Sequence, residues 1–207
     1  TGEALRILAG NTYPVKRAAF SPDGQTIVTT RADNTAVIWD ANTGEQIRTL
    51  SGHTEELNSA TFSPDGQTII TRADNTAIIW DANTGEHLHN LTAHIGYVTV
   101  ALFSPDGERV ITTSRDNTAI IWDSSTGERL RTLTGHTDNV PGAAFSPDGQ
   151  TIVTVSYDLT ARIWDVDYRD FVAYACTRVT RDLTDRERML YGITDDSPTC
   201  PKFAAGS

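Results

Sequence analysis

The 207-residue sequence has few cysteines, few basic residues and no long hydrophobic run. Two cysteines are too few for a small protein stabilised by several disulfides. No apolar run approaches the ~20 residues of a membrane-spanning helix. Lys and Arg total 17 against 27 Asp and Glu, a net charge of −10. This acidity argues against the basic surface that binders of nucleic acids or anionic membranes need. The sequence therefore predicts a globular cytoplasmic protein that binds neither nucleic acid nor membrane.

What the sequence has instead is an internal repeat of about 40 residues. Trp-Asp pairs begin at Trp39, Trp80, Trp122 and Trp164, spaced 41, 42 and 42 residues apart. A second marker, Phe-Ser-Pro-Asp-Gly, recurs in step at 20–24, 62–66, 103–107 and 145–149. A third, Thr-Gly-Glu followed by Leu, occurs at 43–50, 84–91 and 126–133, and also at 1–8. Independent markers that share one period exclude coincidence.

Each repeat has the composition and turn chemistry of short antiparallel strands. Ser-Pro-Asp-Gly predicts a hairpin turn, and the β-branched run at 25–29 after it predicts a strand. Asp33-Asn34 predicts a second tight turn, followed by strands at 36–39 and 46–50. Four such strands every ~40 residues, the third ending in Trp-Asp, are typical of a β-propeller blade.

Together these motifs resemble the WD-repeat β-propeller family. The resemblance rests on Phe-Ser-Pro-Asp-Gly, Asp-Asn-Thr, Ile-Trp-Asp and the Gly-His pairs at 52–53 and 135–136, and it covers residues 1–165. It implies an all-β fold of four four-stranded antiparallel blades at 1–165, with 1–8 as an outer strand. A tail at 166–207 follows the blades.

The resemblance also implies a hydrogen-bonded tetrad of His, Thr, Asp and Trp within each blade. The assigned members are Thr29, Asp33 and Trp39 in blade 1; His53, Asp74 and Trp80 in blade 2; His94, Thr112, Asp116 and Trp122 in blade 3; and His136, Thr154, Asp158 and Trp164 in blade 4. A catalytic nucleophile with a His base is the competing interpretation. Because the constellation is repeated in every blade, we interpret it as structural and predict no catalytic residue.

Three departures from the repeat weaken individual tetrads. Asn11 stands where blade 1 should have a His. In blade 2, Phe62 to Trp80 spans 18 residues where the other blades span 19, so the register of Thr71 as the tetrad threonine stays open. Blade 4 has Leu159 in place of the Asn of the tight turn, which predicts a strained turn or one of another type.

The count of outer strands bears on assembly. An outer-strand motif follows blades 1 to 3 but not blade 4, whereas residues 1–8 carry the motif with no blade before them. Propellers of this family close by adding an N-terminal strand to the last blade. We favour closure between chains: two copies, each donating 1–8 to the other, would form an eight-bladed C2 homodimer. A larger parent ring, another oligomer and a closed four-bladed monomer are the alternatives.

The tail at 166–207 loses the repeat. Apolar residues with helical spacing at 168–179 predict an amphipathic helix, and a capping box at 184–187 predicts a short second one. The tail resembles the helical segment that follows the last blade in large bacterial WD-repeat signalling proteins. Cys176 and Cys200 are either free thiols or a disulfide that closes the tail. No third ligand is near them, so the sequence predicts no metal site and no cofactor.

The resemblance implies a non-catalytic scaffold or sensor module that binds a protein partner on its loop-rich face. The contact positions differ between blades whose scaffold is nearly identical; neutral drift is the competing explanation. The predicted partner-binding residues are Lys16, Glu56, Asn58, Tyr97, Thr99, Arg115, Asn139 and Tyr157. The alternative function is a small-ligand-binding or hydrolytic propeller that uses the central channel, although no carboxylate pair or metal-ligand cluster occurs once only.

Overall fold

The computed structural model describes residues 2–166 and Thr184. The two predicted tail helices, together with Cys176 and Cys200, lie outside the described residues apart from Thr184. The predicted helices therefore stay predictions, and the choice between free thiols and a disulfide for the two cysteines stays open. Within the described part of the chain, all regular secondary structure is β-strand.

Fifteen strands form four antiparallel sheets, blades 1 to 4, and neighbours along the chain pair in order within each sheet. The strands are β1 (Val15–Phe20), β2 (Thr26–Arg31), β3 (Thr35–Asp40) and β4 (Gln46–Ser51) in blade 1; β5 (Leu57–Phe62), β6 (Thr68–Ala73), β7 (Thr76–Asp81) and β8 (His87–Leu91) in blade 2; β9 (Val98–Phe103), β10 (Arg109–Ser114), β11 (Ala119–Asp123) and β12 (Arg129–Leu133) in blade 3; and β13 (Gly142–Phe145), β14 (Thr151–Val155) and β15 (Ala161–Asp165) in blade 4. Blades 1 to 3 thus have four strands each, and blade 4 has three. The predicted strand at 1–8 is not formed within the single chain, because residues 2–14 contain no strand.

The repeated Asp residues build the turns that set the strand boundaries. In the hairpin after β1, the Ser21 hydroxyl donates to Asp23 Oδ1 at 2.6 Å. After β3, the Asp of the Trp-Asp pair, Asp40, accepts the backbone N–H groups of Asn42 and Thr43 at 2.8 and 2.7 Å. Both arrangements recur in the other four-stranded blades. Much of the negative charge therefore has a local structural task.

Successive blades pack face to face through three apolar cores. Between blades 1 and 2, Val28 and Ile38 of the first blade pack against Phe62 and Ile69 of the second. We call these two surfaces the trailing face of blade 1 and the leading face of blade 2. The same arrangement recurs between blades 2 and 3 and between blades 3 and 4. Burial of apolar surface between neighbouring blades is what holds the row together.

The two ends of the row leave one face of each kind uncovered. On the trailing face of blade 4, Ile163 is 77% exposed, whereas Ile121 at the same position in blade 3 is 1% exposed. On the leading face of blade 1, Phe20 is 65% exposed, whereas Phe62 in blade 2 is 7% exposed. The ring is not closed within this chain, so the alternative of a closed four-bladed monomer is wrong.

The N-terminal segment already lies where an outer strand would lie. Residues 6–8 lie beside Gly44, the turn glycine between β3 and β4. In the same way, Arg48 and Leu50 of β4 lie beside Gly85, the equivalent glycine of blade 2. The segment therefore lies against blade 1 as β4 lies against blade 2. The described part of the chain has no blade before blade 1 whose sheet the segment could join.

Candidate interaction surface

The predicted partner-binding residues lie at one edge of the blades, which we call the rim. The inner strands β1, β5, β9 and β13 begin at the rim, and β2, β6, β10 and β14 end there. Lys16, Asn58 and Thr99 are each the second residue of an inner strand. The remaining positions lie in loops at the same edge: Glu56, Tyr97, Arg115, Asn139 and Tyr157. One surface of one chain therefore carries all eight side chains.

On blade 3 the rim presents an exposed aromatic–cation pair. The guanidinium carbon of Arg115 lies 5.2 Å from the centre of the Tyr97 ring, and both side chains are exposed. The Arg115 N–H also donates to the Tyr97 carbonyl at 2.9 Å. Blade 4 repeats the backbone link, since the Tyr157 N–H donates to the Asn139 carbonyl at 3.0 Å. The loops on either side of the rim are thus tied together.

Other rim residues connect neighbouring blades. Lys16 Nζ of blade 1 lies 2.7 Å from Glu56 Oε2 of blade 2. The Thr99 hydroxyl of blade 3 lies 2.5 Å from the Val140 carbonyl of the loop before blade 4 and donates to it. Asn58 Nδ2 donates to the carbonyl of Glu56 at 3.3 Å. Thr99 is therefore committed to an internal contact, whereas Lys16 and Glu56 stay partly exposed at the surface.

Behind the rim, blade 3 contains a closed hydrogen-bonded tetrad. Trp122 Nε1 donates to the Thr112 hydroxyl at 2.8 Å, and that hydroxyl lies 2.9 Å from His94 Nε2. His94 Nδ1 lies 2.8 Å from Asp116 Oδ2. Every donor finds an acceptor when Thr112 donates to Nε2 and the Nδ1–H of a neutral His94 donates to the carboxylate. Asp116 also accepts the N–H of Ile95, which fixes the loop that leads to the rim.

Blade 4 has the same tetrad with the same geometry. Trp164 donates to Thr154 at 2.8 Å, Thr154 lies 2.9 Å from His136 Nε2, and His136 Nδ1 lies 2.8 Å from Asp158. Although burial acts in the other direction, hydrogen bonds from Thr160 and His136 hold the pKa of Asp158 well below its usual value. The carboxylate is thus ionised and fully engaged in the network.

Blade 2 corrects one assignment. His53 Nε2 lies 2.8 Å from the Thr71 hydroxyl, which accepts the Trp80 N–H at 2.7 Å, so Thr71 takes the threonine position. Asp74 makes no side-chain hydrogen bond to His53 in the described structure, contrary to the assignment from sequence. With one residue fewer in this blade, Asp74 itself takes the left-handed φ of 44° that Asn34 takes in blade 1. The tight turn has shifted by one residue, and its carboxylate no longer reaches the imidazole.

The imidazole of His53 has no carboxylate partner, is half-buried and is uncharged at neutral pH. Burial, helped by the nearby charge of His87, lowers the pKa of His53 to about 4. In blade 3, by contrast, burial of Asp116 is outweighed by hydrogen bonds from Thr118 and His94, which lower the pKa of that carboxyl. Blades 2 and 3 therefore differ in how they respond to acid.

Blade 1 retains only part of the tetrad. Trp39 donates to Thr29 at 2.8 Å. Asn11 instead donates to the Leu8 carbonyl at 3.2 Å, and its buried Oδ1 has no hydrogen-bond partner within the described residues. Asp33 accepts from the Thr35 hydroxyl at 2.6 Å. Asp33 Oδ1 also lies 3.9 Å from Arg31 Nε, so the aspartate serves the tight turn and an ion pair instead of a tetrad.

Leu159 of blade 4 adopts the turn geometry of the residues it replaces. Its φ is 68°, the same as that of Asn34, and Asn117 of blade 3 has 70°. A left-handed conformation is costly for a branched side chain such as leucine. Of the two possibilities left open by the sequence, strain or a different turn type, the structure has the strained turn.

Between residues 2 and 166 no three His, Cys, Asp or Glu side chains come close enough to share a metal ion. The buried His and Asp side chains of blades 3 and 4 hydrogen-bond to each other within their own tetrads. Over the same stretch, no helix is long and apolar enough to cross a membrane.

Comparison with protein families accounts for this architecture. The family model for the WD domain, G-beta repeat, matches residues 2–40, 44–81, 85–123 and 127–165. The chain belongs to the WD-repeat family. A search of curated proteins found no match to this sequence.

The boundaries of the four WD repeats differ from those of the blades. Each matched repeat begins with an outer strand and continues through the next three strands, so repeat 44–81 spans β4 to β7. The first repeat begins at residue 2, and it therefore includes the N-terminal segment in the outer-strand position. WD repeats generally serve protein interaction, which suits the exposed rim.

One feature of the described structure has no marker among the repeat motifs. Arg72 and Arg17 line a cavity between the inner strands of blades 1 to 3, and neither was assigned a role. The signal was present in the 18-residue interval from Phe62 to Trp80. From the sequence alone the interval leaves the register of blade 2 open and does not place Arg72.

Proposed function

We propose that this WD-repeat chain is a non-catalytic protein-interaction scaffold that binds a protein partner on its rim. The observation that carries the proposal is the exposed Tyr97–Arg115 pair on blade 3, with the Arg115 guanidinium 5.2 Å from the ring centre. Tyr and Arg are enriched among residues that dominate binding energy at protein interfaces. A pair of this kind, left open on a rigid scaffold, suits a partner that brings apolar and acidic groups.

The pair is held in place before any partner arrives. Arg115 directly precedes Asp116, which is locked by His94, and the N–H of Ile95 donates to the same carboxylate at 3.0 Å. Rigidity of this kind lowers the entropy lost on binding. The proposed contact surface extends along the rim to the neighbouring blades, through Lys16, Glu56, Asn58, Thr99, Asn139 and Tyr157.

We also propose that a second copy of the chain completes the propeller. The uncovered trailing face of blade 4 and the uncovered leading face of blade 1 are the two halves of an inter-blade core. Placing them together twice, around a two-fold axis, gives eight blades and leaves neither face exposed. Segment 2–8 would then become the missing fourth strand beside β15, and its unpaired backbone groups would gain partners.

Partner binding can be tested with single substitutions in the full chain. Affinity capture with the wild-type protein, followed by quantitative mass spectrometry, defines the proteins bound. Tyr97→Ala and Arg115→Ala are each expected to weaken binding of the same partner at least about tenfold, since truncation of a hot-spot residue costs about 2 kcal/mol or more. The melting temperature should stay unchanged, because both side chains are exposed.

Arg129→Ala is the matched control. Arg129 is also exposed, but it begins the outer strand β12, away from the rim. The control should bind the partner as well as the wild type does. Equal losses in all three variants, or full binding by the two rim variants, would contradict the proposal.

A further inference from the structure

An open cavity lies where the inner strands of blades 1, 2 and 3 meet. Its volume is about 360 Å³, which falls within the range of small-ligand sites. Its polar lining comes from Arg17 on β1, Ser59 and Thr61 on β5, Arg72 on β6 and Thr99 on β9. No aspartate or glutamate is among the residues that line it. In residues 1–165, which hold 20 Asp and Glu against 11 Lys and Arg, this is an unusual patch of unmatched positive charge.

The missing residue of blade 2 explains why an arginine reaches this cavity. Blade 1 has Thr29-Thr30 before Arg31, whereas blade 2 has only Thr71 before Arg72. As a result Arg72 lies opposite Ser59 in the ladder between β5 and β6, which is the place of Thr30 opposite Arg17 in blade 1. Arg31 lies further along its strand, opposite Val15. A shift of one residue turns a side chain to the opposite face of a strand. Arg31 does not line the cavity, and Arg72 does.

Neither guanidinium has a carboxylate partner. Arg72 Nη1 donates to the Val98 carbonyl at 2.9 Å, which fixes the side chain and leaves other N–H groups of its guanidinium for a ligand. Arg17 makes no hydrogen bond or ion pair within residues 2–166. Burial, and then the charge of Arg17, lower the pKa of Arg72, so the charged state of this pair lacks compensation.

Hydroxyl groups complete a set of donors. The side chains of Ser59 and Thr61 lie on the cavity wall and make no side-chain hydrogen bond within the described chain. Blade 3 contributes Val100, Leu102 and Thr99 to the wall, and the Thr99 hydroxyl already donates to the Val140 carbonyl, so the donors left for a ligand lie on the side of blades 1 and 2. Two guanidinium groups with neighbouring hydroxyls are the donors that proteins use for phosphate and carboxylate groups.

We propose that this cavity binds an oxyanion, a phosphate or carboxylate group, between Arg17 and Arg72. The site is contained in one chain and does not depend on the proposed partner at the rim. On one side of the site Arg17 is exposed to solvent. On the other side Arg72 is held in place by its hydrogen bond to the Val98 carbonyl. The oxyanion would supply the negative charge that the cavity wall lacks.

The test is a calorimetric titration of the full chain at low chloride. Two probes are used separately: inorganic phosphate and an acetylated hexaglutamate peptide. We expect saturable binding of at least one probe with one site per chain, and the probe that binds identifies the phosphate or the carboxylate class. Arg17→Glu should weaken binding at least about tenfold, because it removes charge-assisted hydrogen bonds and adds a like charge.

Two further variants make the result specific. Arg129→Glu changes the net charge by the same amount on the distant outer strand β12 and should bind as the wild type does. Arg17→Lys keeps the charge but loses the planar fork, and it should bind more weakly than wild type and more tightly than Arg17→Glu. Absence of saturable binding for both probes would overturn the proposal, as would an Arg17→Glu variant that binds like the wild type or a control that loses binding equally.

Discussion

Blades 3 and 4 contain complete tetrads, whereas blades 1 and 2 lack the carboxylate–imidazole bond, although all four pair their strands in the same order. Blade 1 lacks the histidine, and blade 2 lacks the residue that would bring Asp74 to His53. Both incomplete blades nevertheless bury their tryptophans and keep the bond from Trp to Thr. The backbone ladder and the apolar cores between blades therefore define the fold, and the tetrad adds rigidity to the loops of the rim.

The largest expected difference between the two kinds of blade comes from the tetrad threonine. Thr112→Val leaves both Trp122 Nε1 and His94 Nε2 without a hydrogen-bond partner, which should lower the free energy of unfolding by about 3–5 kcal/mol. Thr29→Val in blade 1 affects only Trp39 and should cost about 1–3 kcal/mol. Urea denaturation at one fixed protein concentration measures both. Equal losses in the two blades would mean that the tetrad of blade 3 does not act as a network.

The second prediction uses acid to separate the blades. The pKa of His53 falls from 6.5 unfolded to about 4 folded, so its contribution to stability is fully present above pH 6.5. That contribution is lost as the pH falls from 6.5 towards 4, by up to about 3 kcal/mol. The lowered pKa of Asp116 acts later, because its contribution is lost only below its unfolded value of 3.8.

His53→Gln should remove the first loss and leave the second. The measurement is the midpoint of urea unfolding at a series of pH values for the wild type and the variant. A wild-type free energy of unfolding that stays constant between pH 6.5 and 4 would contradict the half-buried, neutral state of His53.

Much of this comparison could be predicted from the sequence, and the reason is the repeat itself. Motifs that recur in all four repeats predict the turns, the strands and the members of the complete tetrads, because each blade repeats the same local chemistry. Asp74 could not be placed, since a single missing residue allows either the strand or the turn to shift. Only the backbone dihedral of Asp74 decides that the turn shifted. The same shift sends Arg72 into the cavity, which no local motif encodes.

The third prediction compares the two turn aspartates. Asp116→Asn removes the charge that accepts the His94 Nδ1–H and should destabilise the protein by about 2 kcal/mol. Asp74→Asn should change stability by less than about 0.5 kcal/mol, because the left-handed conformation suits asparagine and no imidazole bond is lost. Thermal and urea unfolding of the two variants provide the measurement. A large cost for Asp74→Asn would restore that residue to the tetrad.

The smallest expected effect is a gain. Asn11→His would place an imidazole between Thr29 and Asp33 in blade 1 and remove the unpartnered Oδ1 of Asn11. One additional network of this kind should raise the free energy of unfolding by about 1 kcal/mol. Urea denaturation of the variant tests whether the missing histidine alone separates blade 1 from blade 3. A loss of stability would show that other residues of blade 1 have adapted to Asn11.

The central claim is that this chain is half of a ring completed by a second copy. The most direct test is the mass in solution, measured by light scattering or native mass spectrometry over a range of concentrations. We predict a particle of twice the chain mass of 22.6 kDa, which Ile163→Arg on the trailing face of blade 4 converts to a single chain. A wild-type particle that stays at 22.6 kDa at every concentration would contradict the account.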